Sequence, residues 1–369
     1  MKKELLHKSF KLNGVSFTSE KELLSYTKGF SGTIYGFLID WFSLDEFVSV
    51  QTSGSTGVPK LITLQKEFMK NSAKATGDFF NLKENTTALL CLPVDYIAGK
   101  MMLVRALTLG WHIDVVAPIS NPLKSAKKNY CFSAMVPLQL QNSIADLYKV
   151  KKLIVGGGVV SVDLQKELQK LRTEVYATYG MTETITHIAV KKLNNITVTS
   201  NSVDTLSLRD KDTYIGNRST IVKSFYKVLP NVTIYKDVRN CLLIKAPKIT
   251  KEFIITNDVV DLVSDTEFRW LGRYDNVINS GGIKLHPEKI EEKLSGIIKS
   301  RFFVAGVKDL SLGEKLVLLV EGAEEEFDLG LIKGLSKYEI PKSIYFVNKF
   351  IETETKKIQR LNTLDLLNI

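Results

Sequence analysis

No stretch of this chain approaches the roughly 18 consecutive apolar residues of a membrane-spanning helix. Its first residues, Met1-Lys-Lys-Glu-Leu-Leu-His-Lys8, carry charge with no apolar segment behind them, so no secretory leader is expected either. A soluble, cytoplasmic protein is the expectation. Cysteine is scarce: Cys91, Cys131 and Cys241 lie far apart in strand-like surroundings, a spacing that supports neither a metal site nor a disulfide framework. Arginine-rich arms, internal repeats and low-complexity tracts are missing too. The excess of 50 Lys+Arg over 40 Asp+Glu, formally +10, is dispersed in pairs such as Lys127-Lys128 and Lys191-Lys192. That pattern argues for anionic small-molecule substrates and against nucleic acid. Apolar material is plentiful: 44% of the 369 residues are hydrophobic, enough for one large core or two domains.

The pattern changes twice along the chain. Residues 1 to 44 are mixed, with aromatic pieces such as Tyr35-Gly-Phe-Leu-Ile-Asp-Trp41, and are expected to pack on the larger domain. From Val48 to about Tyr179, short apolar runs alternate with segments of helical periodicity over 97–109, 137–148 and 161–171. The runs are Ala88-Leu-Leu-Cys-Leu92, Ile113-Asp-Val-Val116, Leu153-Ile-Val155 and Val175-Tyr-Ala177. Strands alternating with helices of that length predict an α/β architecture with a mostly parallel, doubly wound sheet. Residues 187 to 275 turn β-rich, at His187-Ile-Ala-Val190, Asn195-Ile-Thr-Val-Thr199 and Leu242-Leu-Ile-Lys245, which predicts a subsidiary β region of the same large domain. Beyond Asp275 the pattern resets to a helix over 287–295, strands over 302–307 and 315–320, a helix over 327–335 and a strand over 343–347. That is a small α+β domain of independent-folding size. The expected division is 1–274 and 275–369.

One stretch concentrates chemistry: Gln51-Thr-Ser-Gly-Ser-Thr-Gly-Val-Pro-Lys60. Glu46-Phe-Val-Ser-Val50 before it has strand composition, and Gln65 to Phe80 after it reads as a helix, so a strand-to-helix loop is expected. Gly54 and Gly57 let consecutive backbone N–H groups converge on one anion. Thr52, Ser53, Ser55 and Thr56 add hydroxyl donors, and Lys60 adds a mobile cation. Together they read as a phosphate cradle. It is not the G-x-x-x-x-G-K-[ST] loop of kinases and GTPases, because Pro59 and Leu61 stand where that pattern needs Gly and Ser or Thr.

Further along, Lys152-Leu-Ile-Val-Gly-Gly-Gly158 is a buried strand running into glycines, with a helix opening near Ser161. Such turns at the carboxyl ends of parallel strands are where α/β sheets hold flat ligands. In Tyr176-Ala-Thr-Tyr-Gly-Met-Thr-Glu183 an aromatic, a glycine and an adjacent Thr and Glu offer a stacking face, a hydroxyl for phosphate and a carboxylate for a hard cation.

The ordered set resembles the adenylate-forming enzymes, the superfamily of acyl- and aryl-CoA ligases, luciferases and peptide-synthetase adenylation domains. The resemblance covers most of residues 51 to 360. It implies that residues 52 to 60 hold ATP phosphates and that Gly157 and Gly158 lie along adenine and the acyl substrate. Within Tyr179-Gly-Met-Thr-Glu183 it implies that Tyr179 stacks on adenine beside Gly180, Thr182 bonds the AMP phosphate and Glu183 holds Mg²⁺. Phe253-Ile-Ile-Thr-Asn-Asp258 resembles the family's Thr-Gly-Asp strand end, with Asp258 on the ribose hydroxyls and Asn257 in place of Gly. Leu271-Gly-Arg-Tyr-Asp275 and the loop after it are similar to the family's hinge. Arg273 then contacts ribose or phosphate, Asp275 is the hinge of a mobile small domain, and Gly281-Gly282 meet CoA after rotation. A plain hairpin turn at those glycines is compatible with that role. Glu354-Thr-Lys-Lys-Ile-Gln-Arg360 resembles the motif of the catalytic lysine, which falls on Lys357, with Lys356 where the family has Gly.

The implied activity is an ATP-dependent acid-CoA ligation through an acyl-adenylate, with ATP, CoA and a carboxylic acid as substrates and Mg²⁺ as cofactor. The short region ahead of the phosphate loop and the segment Leu92-Pro-Val-Asp-Tyr-Ile-Ala-Gly99 are similar to those of the o-succinylbenzoate-CoA ligases of menaquinone biosynthesis. Tyr96 stands where many members have His. A second substrate carboxylate needs a cation or donors in the acyl pocket. Lys100 and Arg105, on the helix after Gly99, are the candidates, although surface charge on an amphipathic helix explains them as well. A ligase for another acid, with CoA or a carrier protein as acceptor, is the alternative, and a non-catalytic nucleotide binder a distant one. A homodimer is the base-rate expectation.

Overall fold

The computed structural model describes residues 5–51, 61–194, 225–327, 334–353 and 358–367. Its framework is a 13-stranded sheet. The strands Lys11–Leu12, His112–Val115, Thr87–Leu90, Tyr130–Met135, Val150–Val155 and Glu174–Gly180 lie side by side and parallel. Alternate residues of these strands enter different cores. Ala88, Leu90, Phe132, Ala134 and Ile154 join one cluster, and Leu89, Met135, Leu153 and Val155 join the other. Both faces are therefore buried, as the near-continuous apolar runs require of a parallel sheet. Helices Glu20–Phe30, Gly32–Phe42, Lys66–Phe80 and Ile97–Leu109 supply Leu23, Ile34, Met69 and Val104 to the first core, and helix Val162–Leu168 supplies Leu164 and Leu168 to the second. This is the doubly wound α/β arrangement. Residues 1 to 44 contribute the fully buried Trp41.

The β-rich segment belongs to the large domain, as expected, and the structure shows that it continues the same sheet: His187–Lys192 pairs antiparallel with Glu174–Gly180, and Tyr226–Val228, Glu267–Arg273, Ile254–Leu262, Cys241–Lys245 and Thr233–Lys236 extend it outward. An edge left by the parallel strands is thereby paired instead of exposed. The differences are local. Tyr130–Met135 is a strand the apolar-run reading missed, because Cys131 and Ser133 break its hydrophobicity. The helix expected over 137–148 divides into Pro137–Asn142 and a 3-10 segment Ile144–Lys149. Ser143 sits between them, its hydroxyl bonded to Asn121 Oδ1 at 3.2 Å. The phosphate stretch is not a strand-to-helix loop, since Leu61–Gln65 is a strand paired antiparallel with Phe47–Gln51, and the helix begins only at Lys66.

After Arg273 the chain passes through residues 274 to 277 into a separate 5-stranded sheet. Ile278–Ser280 and Ile283–Leu285 form a hairpin, and Gly313–Glu321 pairs with Phe302–Asp309 and with Ser343–Val347. Leu316, Leu318 and Val320 pack with helix Pro287–Leu294 on one face, and Val317 and Leu319 pack on the other. A short helix Arg360–Asp365, absent from the sequence reading, docks through Arg360, which forks onto Glu291 at 2.6 and 2.8 Å. The expected strand over 195–199 falls outside the described residues, as do residues 328–333 of the helix expected over 327–335. Within the described residues no helix is long and apolar enough to cross a membrane.

Candidate active site

The carboxyl ends of the parallel strands set the site, as in open α/β sheets generally. Strand Val150–Val155 delivers Gly156, Gly157 and Gly158. A Cβ on Gly156 would lie 2.6 Å from Thr178 Oγ1, and Gly157 has φ +81°, so this turn requires small residues. Gly157 and Gly158 are exposed. Ser161 caps the helix that follows, its hydroxyl accepting from Leu164 N at 3.3 Å.

Strand Glu174–Gly180 delivers Tyr179, Gly180, Thr182 and Glu183. A Cβ on Gly180 would lie 2.3 Å from the carbonyl of Thr186, the residue that leads into the antiparallel strand His187–Lys192, and 2.5 Å from His187 Cα, so the two strands close only over glycine. Thr182 and Glu183 ride on a single 3-10 turn, Thr182–Thr184. The buried Thr184 ties it: Oγ1 accepts from Met181 N at 2.9 Å and lies 2.8 Å from Met181 O and 2.6 Å from Thr186 O. Ile185 closes the turn at φ +66°, a conformation that costs a β-branched residue energy and marks a constrained segment. Thr182 is half-buried and Glu183 exposed.

Tyr179 and Asp258 meet from strands far apart in sequence. The Tyr179 hydroxyl donates to Asp258 Oδ2 at 2.6 Å, and Trp270 Nε1 donates to Oδ1 at 3.0 Å. Burial, then the Asp258 charge, pushes the Tyr179 hydroxyl far up, so it remains a donor. Its ring lies edge-on against Phe268 at 5.2 Å and Tyr226 at 5.9 Å. Thr256 Oγ1 accepts from Asp258 N at 3.1 Å and itself donates to Leu242 O at 2.8 Å. Asp258 is buried yet each carboxylate oxygen has spare acceptor capacity, which suits a vicinal diol. Sequence reasoning missed Trp270, and its signal was an indole two positions before the glycine of Leu-Gly-Arg.

Arg273 Nη2 reaches Asp275 Oδ2 at 3.3 Å, and both side chains are about half exposed. Asp275 lies in the 3-10 turn Tyr274–Asn276. Gly281 and Gly282, with φ of +57° and +81°, form the turn of the hairpin.

The three acid candidates separate. Tyr96 is the partly exposed N-cap of helix Ile97–Leu109. Gly99 in that helix is obligatory, because a Cβ there would lie 2.1 Å from Pro93 O. Lys100 Nζ donates to Asp95 O at 2.9 Å, and burial lowers its pKa while Asp95 and Asp40 oppose the shift. Arg105 is no surface charge: it is 1% exposed. Its Nε lies 3.3 Å from Thr76 Oγ1, and its Nη2 3.4 Å from Thr186 Oγ1 and 3.5 Å from His187 Nδ1. No carboxylate among the described residues faces it, and burial pushes its pKa down to about 9. His187, fully buried, is held neutral by burial and then by the Arg105 charge. Among the described residues its Nε2 has no hydrogen-bond partner, nor has the buried Ser72 hydroxyl. Neither residue was singled out in the sequence, where a lone His at a strand start carries no signal.

Thr52, Ser53, Gly54, Ser55, Thr56, Gly57, Lys60 and Lys357 lie outside the described residues. Their flanks are described: Gln51 pairs with Leu61, and Glu352 bridges Ile358.

The family profile described as AMP-binding enzyme matches residues 45–220. A 2-succinylbenzoate–CoA ligase of Lactococcus lactis is 26% identical over 345 residues, covering 86% of this chain and 70% of that protein. One from Bacillus cytotoxicus is 26% identical over 366 residues, covering 88% and 71%. Among solved structures, an acyl-CoA synthetase (AMP-forming)/AMP-acid ligase II-like protein from Dyadobacter fermentans is 34% identical with a TM-score of 0.59, covering 95% of this chain and 99% of that one. The o-succinylbenzoate CoA synthetase of Bacillus subtilis with its acyl-adenylate intermediate shares the fold at 19% identity and a TM-score of 0.69, over 86% and 68%.

Proposed function

We propose that this chain, which belongs to the adenylate-forming AMP-binding enzymes and is an AMP-forming acid-CoA ligase, takes o-succinylbenzoate as its acid and so makes o-succinylbenzoyl-CoA for menaquinone. The observation that carries the substrate is Arg105. A buried guanidinium with only neutral neighbours among the described residues forfeits several kcal/mol of hydration without a compensating ion pair. A diacid supplies that pair. One carboxylate is activated, and the other, which stays free, neutralises Arg105 beside Thr186 and His187. A monoacid leaves the cation uncompensated. The names of the curated relatives support the same acid. Lys100, turned to Asp95, is the weaker candidate for this role.

In the first step a carboxylate oxygen of the acid bonds to the α-phosphorus of ATP and pyrophosphate leaves. Residues 52 to 60 hold the departing phosphates, Thr182 bonds the α-phosphate, and Lys357 bridges acid and phosphate. Asp258, fixed by Tyr179 and Trp270, takes the ribose hydroxyls, with Arg273 beside it. Mg²⁺ supplies charge neutralisation on the phosphates. Glu183, exposed on the turn Thr182–Thr184 at the end of strand Glu174–Gly180, would hold the ion by its carboxylate, a hard oxygen ligand. Positioning and electrostatics supply the catalysis. In the second step the small domain turns about Asp275, the Gly281-Gly282 hairpin approaches, and the CoA sulfur bonds to the acyl carbon as AMP leaves. Both steps draw on cytoplasmic ATP and CoA.

The test is pyrophosphate release from Mg-ATP across a panel of mono- and dicarboxylic acids, with mass analysis of products made with CoA. Release with o-succinylbenzoate and formation of its CoA thioester are expected. Release with monoacids alone overturns the substrate and the role of Arg105 together.

A further inference from the structure

Asn257 departs from the glycine the family carries before its ribose-binding Asp, and its side chain has a task glycine cannot perform. Its Oδ1 accepts from Arg239 Nη1 at 2.8 Å. Its Nδ2 points to the Asp275 carboxylate, 3.2 Å from Oδ2 and 3.4 Å from Oδ1. The amide orientation follows from chemistry, since a guanidinium only donates and an ionised carboxylate only accepts. Arg239 is itself immobilised. Asp237 Oδ2 takes its Nε at 2.8 Å and its Nη2 at 2.8 Å, while Thr256 O takes Nη2 at 3.0 Å. The turn carrying it is tied by Asp237 Oδ1, which accepts the backbone N–H of Arg239 at 2.8 Å and of Cys241 at 2.9 Å. Arg239 also lies 5.3 Å over the Tyr274 ring.

The other end of this relay matters for the whole molecule. Residues 274 to 277 are the covalent link between the large sheet, which ends at Arg273, and the small sheet, which starts at Ile278. Asp275 and Tyr274 in that link are thus both gripped by residues of the large sheet and its 237–240 turn. An isolated exposed ion pair there would contribute little. Here the partner is preset by a fixed arginine, so little side-chain entropy is lost on making the contact.

We propose that Asn257, oriented by Arg239, is a positioning residue that latches the connector at Asp275 and so sets how this ligase divides its time between adenylate formation and thioester formation. The proposal rests on the reading of Asp275 as the hinge. Asn257→Gly opens the latch while restoring the residue the family uses, so folding and ribose binding are retained. Arg239→Met leaves Asn257 in place but unoriented.

The experiment compares the full-length protein with these variants in two assays, pyrophosphate release from acid and Mg-ATP, and conversion of chemically supplied acyl-adenylate to the thioester. Tryptic cleavage after Arg273 in the connector is followed in parallel. Loss of one typical, solvent-exposed hydrogen bond corresponds to a change of about fivefold in an equilibrium. The ratio of the two rates is expected to shift by at least about fivefold in Asn257→Gly, in the same direction in Arg239→Met, with faster cleavage and an unchanged Tm. A merely structural role would lower Tm and slow both half-reactions together, and that result overturns the latch. Asp275→Pro, which stiffens the connector, separates the possible failures. If it does not uncouple the half-reactions, the hinge reading falls and the latch with it. If it uncouples them while Asn257→Gly leaves both the ratio and the cleavage unchanged, the hinge stands and the latch is wrong.

Discussion

Arg105 and His187 pack a cation against an imidazole in a buried position, an arrangement that folding alone does not favour. Function and stability therefore oppose each other at this pair. In Arg105→Met the apolar stem keeps its packing and the uncompensated charge disappears. Tm is expected to hold or rise. KM for the diacid, measured by pyrophosphate release, is expected to climb at least about 30-fold, the effect of losing roughly 2 kcal/mol from a buried charge pair, with KM for ATP unchanged. A fall in Tm with equal loss for every substrate would make Arg105 a packing residue. His187 adds a pH signature. Its folded pKa lies well below the ordinary 6.5, so below that value the unfolded chain binds a proton the folded one refuses. Stability from this residue is complete above about pH 6.5 and is lost as pH falls toward the folded pKa. His187→Asn is expected to flatten the slope of unfolding free energy between pH 6.5 and 5 by about 1.4 kcal/mol per pH unit, read from urea curves. An unchanged slope would mean that the imidazole titrates freely in the fold. None of this was visible in sequence, where Arg105 read equally well as a surface charge.

At the scale of elements, the crossing of strands Glu174–Gly180 and His187–Lys192 holds the site together. Their pairing has an irregularity between His187 and Ala189, and the chain turns between them through the strained Ile185. Gly180 is the point of closest approach. Gly180→Ala forces a methyl into the Thr186 carbonyl, and because that oxygen is backbone, the strands themselves must separate. A loss of about 2–3 kcal/mol in urea unfolding is expected, with ATP binding weakened as the Thr182–Glu183 turn shifts. A change within about 0.5 kcal/mol would show that the strands part freely. The glycine was legible as part of a motif, but its steric reason was not, because the atom it avoids lies where the chain returns to pair with it. The hairpin Phe47–Gln51 with Leu61–Gln65 was misread for a similar reason. Leu61-Ile-Thr-Leu-Gln65 alternates weakly and merges by composition into the helix after it, until cross-strand pairing decides the matter.

Over the whole molecule, the residues proposed for the two half-reactions are divided between two sheets joined by residues 274 to 277. Asp258, Tyr179 and Arg105 belong to the large sheet and its helices, and Gly281, Gly282 and Lys357 to the part beyond Arg273. Contacts already span the two: a Cβ on Gly272 would meet Glu288 Oε2 at 2.2 Å, and Lys299 pairs with Asp163. If the small domain carries one catalytic group for each step, the steps are separable by mutation. Lys357→Ala is expected to abolish pyrophosphate release while supplied acyl-adenylate is still converted to the thioester. Loss of both activities would place the lysine elsewhere or indicate misfolding.

The amino-acid sequence by itself determined the class of protein and the order of its parts. Period-2 and period-3.6 patterns are local, and so are the glycines and hydroxyls of the phosphate stretch and of Tyr179-Gly-Met-Thr-Glu183, so both can be read in a short window. Tertiary structure alone decided which distant groups share a charge or a hydrogen bond. Tyr179 and Trp270 converge on Asp258, Asn257 links Arg239 to Asp275, and Arg105 is buried beside His187 with no acid among the described residues to pair it. The physical reason is that desolvation and hydrogen-bond partnership depend on what surrounds a side chain in space, and residues up to 82 positions apart supply those surroundings.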